Sequence, residues 1–462
     1  MTQPPATPHP SAPSMLALLV LAACGPPPPP PPPREGPPSV VIVVIDTLRA
    51  DHMGAWGATR DTSPELDQLA AEGQRFSHAW APTSWTRPSV GALLTGQSPR
   101  QLGIREEQGD MLPKDVTTLA ERMRDAGYAT FGMTANPNLN SLYGFDRGFD
   151  TYINSDVVFQ WMLTDGAEGV TAVDNPMLRA DDIFKKSLGF AREHSAEPSF
   201  LFLDLMEVHE HYQSASKTLL RPEYQDLFHG TNAKYDATIR QTSADLGAFV
   251  RTLAGVPGWE DCVVIITSDH GEGLGDHPDT FDGEGHGRYL YNSQVAVPLL
   301  VWNPKGTHGT GVVDRPVTLL DIAPTVLALS GLPPATLSAT GLPGQPLLPG
   351  QSPGATAEPR PYIGFETLFR DVDKVGVTDG TWLYVENRLR DPSTPAIELQ
   401  RVRGSQNGAA TSQHESEPDA LAGMVAFLQQ YEAATPRREP TKTPRPLSKA
   451  EADQLKAIGY LE

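Results

Sequence analysis

The sequence predicts an α/β sandwich with a mainly parallel central sheet, followed by a smaller C-terminal α+β subdomain. Continuous apolar runs alternate with amphipathic helical patterns, and after Gly331 the chain changes to loops rich in Pro and Gly. Strands that are apolar at every position are buried on both faces, which requires helices on each side of the sheet. With 462 residues, 39% of them hydrophobic, the chain is long enough to bury one large core.

In chain order, the first unit alternates between predicted strands and helices. Helical spacing predicts helices over 64–73, 117–127 and about 235–254, and Gly73 and Gly127 close the first two. The apolar runs VVIVVI, SFLFLDLM, CVVIITS and VPLLVW predict strands at 40–45, 199–206, 262–268 and 297–302.

The second unit has a weaker pattern. Short candidate strands occur at 362–365 and 381–386, a polar stretch covers 401–419, and helical spacing then returns before a final predicted helix, LSKAEADQLKAIGY. We therefore expect a catalytic domain at 39–332 and a C-terminal subdomain at 333–462.

The N-terminus predicts an exported, membrane-anchored lipoprotein. The apolar run MLALLVLAACG is too short to span a bilayer but suits a signal peptide over 1–24, and its ending resembles a lipobox that would leave Cys24 lipidated. Residues 25–38 contain eight consecutive prolines, which predict a stiff linker. The periplasm or the cell surface is the expected location. The alternative is a disordered tail with a chance apolar patch.

The net charge of the chain indicates which kinds of molecule it is suited to bind. The formal net charge of −20 argues against a nucleic-acid binder, because such proteins carry Lys and Arg in excess. An anionic substrate would therefore need a local metal ion or arginine to attract it. With only two cysteines, Cys24 and Cys262, a disulfide framework or a cysteine-rich zinc cluster is excluded.

Potential metal ligands follow three of the predicted strands. Asp46 follows the first, Glu207 and His209 follow the second, and Asp269 and His270 follow the third. Ligands bind beyond the carboxyl ends of parallel strands, so these side chains are expected to converge. Asp46, Asp269 and His270, completed by Thr86, favour zinc or manganese over magnesium, while calcium would prefer more oxygen. Each acid alone is more often a helix cap or a solvated turn.

The stretch TSWTRPSVGALLTG predicts a helix whose first turn contains Pro88. A metal on Thr86 would turn its hydroxyl into a nucleophile, and the helix N-terminus and Arg87 would hold the anionic group under attack. The alternative is that Thr86 caps the helix and Arg87 is solvated.

Two histidines are candidates for the same site. His286 follows the Asp269 strand by a short loop and is predicted to protonate the leaving group. His209 is predicted to bind the transferred group. His211 and His277 rank lower, since a lone histidine is usually structural or exposed.

These residues lie in motifs that resemble sulfatases of the alkaline phosphatase superfamily, from about Val40 to the final GYL. The matching stretches include IDTLRADHMGAWG, TRPSVGALLTG, TSDHGEGLGDH and DIAPTVLALSGL. The resemblance implies an alkaline-phosphatase-like sandwich with a C-terminal α+β subdomain. It also implies one catalytic divalent metal, for which calcium is possible as in sulfatases, and sulfate ester hydrolysis through a covalent intermediate.

The chain departs from the family pattern at several positions. Thr86 replaces the Cys or Ser that becomes formylglycine, Val90 replaces an Arg, and Thr47 replaces the second of two paired aspartates. Asn136 is the nearest polar substitute for the family's Lys and His, which makes it a candidate substrate-binding residue.

Three functions remain open. The first is metal-dependent hydrolysis of sulfate or phosphate esters, with a sulfated or phosphorylated glycan or lipid head group as substrate. The second is transfer of phosphoethanolamine or glycerol phosphate, because a Thr nucleophile with these ligands resembles the relatives that catalyse such transfer. The third is a pseudoenzyme that binds an anion without turnover.

Overall fold

The computed structural model describes residues 36–105, 109–154, 178–212, 220–277, 284–332, 344–348, 360–370, 372–389, 396–402 and 418–442. The signal peptide predicted over 1–24, Cys24, most of the Pro-rich linker and the final helix lie outside these residues, so those assignments stay predictions. The described residues all belong to one compact unit. Among the described helices, none is both long enough and apolar enough to cross a bilayer.

The described strands and helices alternate through the first part of the chain. The strands are β1 Val40–Ile45, β2 Gln74–Trp80, β3 Asp110–Met111, β4 Ala129–Thr134, β5 Thr151–Ile153, β6 Ser199–Leu205, β7 Val263–Thr267, β8 Gly273–Leu274, β9 Glu284–Gly285, β10 Ala296–Trp302, β11 Gly311–Val313, β12 Val317–Thr318, β13 Ile363–Phe369, β14 Val372–Thr378, β15 Trp382–Leu389, β16 Ile397–Arg401 and β17 Thr441–Lys442. The α-helices are Pro64–Glu72, Thr86–Thr95, Pro99–Leu102, Leu119–Asp125, Ala180–Glu193, Ala233–Ala254, Asn292–Val295, Ile322–Leu329 and Pro418–Ala434. Short 3₁₀ turns cover Ala50–His52, Gly54–Trp56, Pro137–Leu139, Ser141–Tyr143, His209–Tyr212, Pro222–Tyr224 and Leu319–Asp321.

The central sheet has the order β11-β2-β10-β7-β1-β6-β4-β5, and β12 also pairs with β2. All its pairings are parallel except those of β10, which is antiparallel to both β2 and β7. The predicted fold class is confirmed. The antiparallel β10 was not predicted, because a strand buried on both faces has the same apolar pattern in either direction.

Both faces of the sheet are covered, as the apolar strands require. Side chains alternate along a strand, so Val40, Ile42 and Val44 of β1 join one hydrophobic cluster while Val41 and Val43 join another. These two layers make β1 one of the most deeply buried strands. Asp46, which directly follows β1, is therefore attached to a rigid part of the fold.

The C-terminal sheet is antiparallel, with the order β13-β14-β15-β16, and the helix Pro418–Ala434 packs against it. Trp80 at the end of β2 stacks on Phe365 of β13, with ring centroids 6.0 Å apart. Phe369 of β13 contacts Trp85, with ring centroids 5.1 Å apart. The smaller sheet therefore packs beside the start of the helix Thr86–Thr95.

Candidate metal centre and active site

Two neighbouring strands deliver the predicted metal ligands to one edge of the sheet. Because β1 and β7 are parallel and in register, with Val44 opposite Thr267, Asp46 and the Asp269-His270 pair leave the sheet side by side. Candidate ligand atoms of Asp46, Asp269 and His270 all lie within 4.8 Å of one another, and all three residues are buried. The structure thus assembles three of the four predicted ligands.

Each aspartate has one oxygen held by the protein and one that is not. Oδ1 of Asp269 accepts hydrogen bonds from the main-chain N–H groups of His270, at 2.9 Å, and Thr47, at 3.3 Å. Oδ2 of Asp46 accepts one from the Asn136 side-chain amide at 2.5 Å. The other oxygens, Asp46 Oδ1 and Asp269 Oδ2, are buried without a hydrogen-bond partner among the described residues. Buried carboxylate oxygens in this state fit a cation.

The orientation of His270 also fits a metal ligand. Its Nδ1 lies 2.8 Å from the carbonyl oxygen of Gly271, so Nδ1 carries the proton and donates it there. This assignment leaves the lone pair of Nε2 directed at the two carboxylates, 3.3 Å from Asp269 Oδ2 and 3.9 Å from Asp46 Oδ1. A second bond that fixes the tautomer is typical of metal-binding histidines.

The electrostatics of the cluster favour a bound cation. Burial, together with the charges of Asp269 and Asp204, raises the pKa of Asp46 well above its usual value. Burial likewise raises the pKa of Asp269 to about 6. The pKa of His270 falls because the ring is buried and lies beside His286. Keeping both carboxylates ionised in this buried site costs folding free energy unless a positive charge lies beside them.

Thr86 lies at the start of a helix and against this cluster. It is the first residue of the fully buried helix Thr86–Thr95, and its Oγ1 is 3.2 Å from His270 Nε2. The first N–H groups of a helix have no partner within it, so polarised donors flank the hydroxyl. Ser89, one turn later, donates from its hydroxyl to the Asp269 carbonyl oxygen at 2.6 Å, which ties the helix to the ligand loop.

The turn after Asp46 is strained. Thr47 has a φ of 58°, which is rare for a β-branched residue. In this conformation its N–H donates to Asp269, and its carbonyl oxygen accepts a 2.7 Å hydrogen bond from the Tyr235 hydroxyl. Thr47 thus occupies the position of the family's second aspartate but contributes main-chain contacts. Strain of this kind is concentrated at functional sites.

His286 lies beside the cluster, and His209 lies next to His286. The His286 ring is 4.4 Å from that of His270 and 5.4 Å from that of His209, measured between centroids. Nδ1 of His286 lies 3.2 Å and 3.3 Å from the two carboxylate oxygens of Glu272. His209, which is buried, has its Nδ1 3.1 Å from Glu210 Oε1. The His286 ring is therefore a neighbour of both His270 and His209.

Arg87 is buried among main-chain carbonyl groups and the Tyr143 ring. Its guanidinium is fully buried, donates to the carbonyl oxygens of Asp110 and Asn138 at 3.1 Å and 3.3 Å, and lies 3.6 Å from the Tyr143 ring centroid. These described contacts all lie outside the Asp46, Asp269 and His270 cluster. They show that Arg87 supports the fold, and its predicted role in clamping the substrate stays a prediction.

Asn136 and Glu207 support the site from outside it. Asn136 donates to Asp46, a contact that favours orienting a ligand over the predicted direct contact with substrate. Glu207 accepts a hydrogen bond at 2.6 Å from the main-chain N–H of Ala180, at the start of the helix Ala180–Glu193. Glu207 is not in the cluster of Asp46, Asp269 and His270. Its carboxylate instead satisfies a free N–H group in the first turn of that helix, a common role for acidic side chains.

Sequence reasoning missed two buried acids. Asp204 lies within β6, accepts hydrogen bonds from the Thr134 hydroxyl and the Asn136 N–H, and has its pKa raised to about 7 by burial. Glu272 follows the ligand pair by two positions. Burial alone would raise the pKa of Glu272, but the charges of His286 and His209 and a hydrogen bond to His286 lower it. The sequence did contain a sign of Asp204, because it is the only acid in the apolar run SFLFLDLM.

The comparisons with known proteins agree with this architecture. A model of the sulfatase family matches residues 38–332, more than half of the chain. The chain is 26% identical over 335 residues to an arylsulfatase of Hemicentrotus pulcherrimus, an alignment that spans 62% of this chain and 57% of that relative.

Solved structures show the same fold. The phosphonate monoester hydrolase SpPMH from Silicibacter pomeroyi superposes with a TM-score of 0.65 at 20% identity, over 87% of this chain and 96% of that one. Ps i-CgsB in complex with k-i-k-neocarrahexaose gives 0.64 at 17% identity, over 91% and 97% of the two chains.

Proposed function

Since this chain belongs to the sulfatase family, we propose that it hydrolyses sulfate or phosphate esters with the side chain of Thr86 as nucleophile. One observation carries the proposal. The Thr86 hydroxyl begins a buried helix 3.2 Å from His270 Nε2, beside two carboxylate oxygens that no described protein group satisfies. A hydroxyl that only capped the helix would have no need of this acidic setting.

We assign Asp46, Asp269, His270 and Thr86 as ligands of one divalent metal ion. Two carboxylates, an imidazole and a hydroxyl are donors typical of zinc or manganese, while calcium ordinarily takes more oxygen ligands. A cation bound there would lower the pKa of the Thr86 hydroxyl and offset the charge of the ester.

The residues of this chain supply the remaining steps. The deprotonated Thr86 oxygen attacks sulfur or phosphorus, the bond to the leaving alcohol breaks, and His286 gives that alcohol its proton. Glu272 holds Nδ1 of His286, so Nε2 is the nitrogen available for that transfer. Water then cleaves the Thr86 ester and releases the free anion. The N-terminus of the helix Thr86–Thr95 and His209 stabilise the charge on the transferred group.

Thr86 favours chemistry that differs from that of most sulfatases. Threonine carries a methyl group on Cβ and cannot be converted to the formylglycine aldehyde that the family resemblance implies at this position. Its hydroxyl must act as it stands. Phosphorus esters are therefore as plausible a substrate as sulfate esters, and one structural relative is a phosphonate monoester hydrolase.

The substrate class we propose is an anionic ester on a glycan or a lipid head group. A structural relative was solved in complex with k-i-k-neocarrahexaose, and the predicted anchor at Cys24 would hold the enzyme at a membrane of an exported compartment. If an alcohol rather than water accepts the group from Thr86, the same site acts as a phosphoethanolamine- or phosphoglycerol-type transferase. The Thr nucleophile is the feature that favours this second function.

The test is a turnover screen of the full chain with zinc, manganese or calcium. Nitrophenyl sulfate, a phosphate monoester and a phosphodiester are compared in the wild type, in Thr86→Ala and in Ser84→Ala, which removes a buried hydroxyl two residues before Thr86. We expect turnover that needs metal, vanishes in Thr86→Ala and persists in Ser84→Ala. Metal binding without turnover of any substrate would favour the pseudoenzyme.

A further inference from the structure

Asp204 is a fully buried acid inside the central sheet, on the face that carries the helix Thr86–Thr95. In β6 it lies opposite Val44 of β1 on one side and Thr134 of β4 on the other. Phe202, two residues earlier, packs in the same hydrophobic cluster as Val44 and that helix. Side chains two positions apart share a face of the sheet, so the Asp204 carboxyl lies on this otherwise apolar side. A carboxyl group in such a place costs stability unless its hydrogen bonds are used.

The hydrogen bonds that Asp204 makes through its carboxyl go to one turn, the one that follows β4. Its Oδ2 accepts from the Thr134 hydroxyl at 2.7 Å and from the Asn136 main-chain N–H at 3.3 Å. The same N–H lies 3.0 Å from Thr134 Oγ1, so the three groups form a closed set. Oδ1 of Asp204 has no hydrogen-bond partner among the described residues. Within the described part of the chain, this carboxyl therefore serves the turn after β4.

The turn fixes the direction of the Asn136 amide. Its Oδ1 accepts a 2.8 Å hydrogen bond from the Asn138 N–H and caps the 3₁₀ turn Pro137–Leu139, while its Nδ2 donates to Asp46. The reverse orientation would place the amide oxygen against the Asp46 carboxylate, so the contacts allow only one. Asn138 in turn accepts a 2.8 Å hydrogen bond from Arg87 at its Oδ1. The turn is thus held on both sides of the amide.

The Asn136 amide decides which oxygen of Asp46 is left for a cation. It donates to Oδ2 at 2.5 Å, and Oδ1 lies 3.9 Å from His270 Nε2 without a hydrogen-bond partner among the described residues. Hydrogen bonds from neighbouring groups to a ligating carboxylate orient it and tune its affinity for metal. Whatever holds Asn136 in place therefore acts on the ligand Asp46.

We propose that Asp204 is a positioning residue for Asp46 and that it acts through Asn136. Asp204 holds the turn, the turn holds the amide, and the amide presents Asp46 Oδ1 to the cation. The proposal rests on the proposed function, because it takes Asp46 as a metal ligand.

Calorimetric titration of the full chain tests this path, with manganese, zinc or calcium, whichever the wild type binds most tightly. Asp204→Ala, Asn136→Ala and the double variant are compared with the wild type. We expect each single substitution to weaken metal affinity about tenfold, as for loss of a group that supports a ligand. The double variant should bind no more weakly than Asn136→Ala, because two residues on one path do not add. Independent, additive losses overturn the proposal.

Two further variants separate positioning from charge and from folding. Asp204→Asn removes the negative charge but keeps an oxygen that accepts from Thr134, so it should retain most of the wild-type affinity. A loss as large as that in Asp204→Ala would show that only the charge acts, which overturns the proposal. Thr134→Val breaks the link to Asn136 with little change of volume. It should weaken affinity as Asp204→Ala does, and it replaces that variant if Asp204→Ala does not fold.

Glu366→Gln is the matched control. Glu366 is an equally buried acid, and it accepts a main-chain N–H, that of Arg100, at 2.9 Å, but it lies in β13 of the smaller sheet. We expect its metal affinity to equal that of the wild type. If Glu366→Gln weakens binding as much as Asp204→Ala does, the losses report general loosening of the fold and the proposal fails.

The affinity readout separates this proposal from the enzymatic one. If the wild type binds metal but turns over no nitrophenyl ester, the proposed hydrolysis fails, while the affinity comparison still decides the role of Asp204. If Asp46→Asn loses metal binding and both Asp204→Ala and Thr134→Val keep it, the ligand assignment stands and the role of Asp204 is refuted.

Discussion

At the scale of single residues, the metal centre is defined by which carboxylate oxygens the protein satisfies. Main-chain N–H groups hold one oxygen of Asp269 and an amide holds one oxygen of Asp46. The remaining two oxygens face a deprotonated imidazole nitrogen. Such an arrangement costs stability when no metal is bound and is stabilised when one is.

Asp269→Asn is expected to have opposite effects on the metal-free and metal-bound chains. Removing a buried carboxylate whose pKa is about 6 stabilises the metal-free protein at pH 8 by on the order of 1–3 kcal/mol, because less charge is buried. The loss of a ligand weakens metal affinity at least about tenfold. Thermal unfolding and calorimetric manganese titration measure the two effects.

The control for this substitution is Asp321→Asn. Asp321 is equally buried, but it pairs with Arg360 outside the metal cluster. Its loss is expected to destabilise the chain and leave manganese affinity unchanged. Equal weakening of manganese binding by both substitutions would contradict the ligand assignment.

The sequence predicted the clustering of Asp46, Asp269 and His270 and was less informative for the residues around them. Asp46, Asp269 and His270 were predictable because parallel strands end at one edge, where acids and histidines have few structural reasons to gather. Arg87 was predicted to bind substrate because it stands at a helix N-terminus beside Thr86, and Asn136 because it replaces family residues. Their contacts depend on Asn138, Tyr143 and Asp46, which are distant along the chain and carry no sequence signal for that pairing.

At the scale of elements, the loop that carries His286 is held by the C-terminal sheet. The Thr367 hydroxyl of β13 donates to the Gly287 carbonyl oxygen at 2.6 Å. Phe369 of the same strand lies against Gly287 and against Trp85, the residue before Thr86. One strand thus positions the segments of both the proposed nucleophile and the proposed acid.

Gly287→Ala is expected to displace His286. A Cβ at this position would lie 3.1 Å from the Phe369 ring, and the φ of 97° is strained for any L side chain. We expect turnover of nitrophenyl esters to fall at least about tenfold, as for loss of a general acid, with metal affinity unchanged.

Gly285→Ala is the control, because its φ is 101° but a Cβ there meets nothing within 4 Å. It introduces the backbone strain without the clash. If both variants lose activity equally, contact with Phe369 is not what positions His286.

Glu207→Ala tests the role of the second strand end. Since Glu207 caps the helix Ala180–Glu193, its loss is expected to destabilise the chain by about 0.5–2 kcal/mol without changing metal content. Denaturant unfolding and elemental analysis of the purified protein provide the two values. A fall in bound metal would indicate that Glu207 is a metal ligand, as the strand pattern first suggested.

The sequence predicted the strands that are apolar at every position and missed the strands that are short or contain polar residues. β1, β6 and β7 begin and end within about two residues of their predicted limits, because continuous apolar runs identify buried strands. β2 and β4 were not identified, since QRFSHAW and ATFGMT mix polar and small residues that fit no single period. β14 and β16 were missed in the smaller sheet, where short strands provide few residues to show an alternation.

At the scale of the whole molecule, the metal centre links stability to pH. The pKa values of Asp269 and Asp204 are about 6 and about 7, above the usual value of about 4 for an aspartate. A raised pKa means that ionisation favours the unfolded chain. Metal-free protein therefore loses stability as pH rises from about 4 through these values, and a bound cation removes this loss.

The expected result is a lower melting temperature at pH 8 than at pH 5 for chain treated with a chelator. Glu207 and Glu366, each with a pKa raised to about 7 by burial, act in the same direction. Added manganese should raise the melting temperature more at pH 8 than at pH 5. A metal-free chain that is equally stable at both values would show that these carboxyls do not stay protonated in the fold.

The central claim is that Thr86 forms a covalent bond to the transferred group, and mass spectrometry tests it most directly. Full-length chain with manganese is mixed with whichever nitrophenyl ester it turns over, quenched in acid during turnover and digested. The account predicts a sulfated or phosphorylated peptide modified at Thr86, which is lost when the chelator is present. Turnover that continues in Thr86→Ala, with Thr86 unmodified in the wild type, would contradict it.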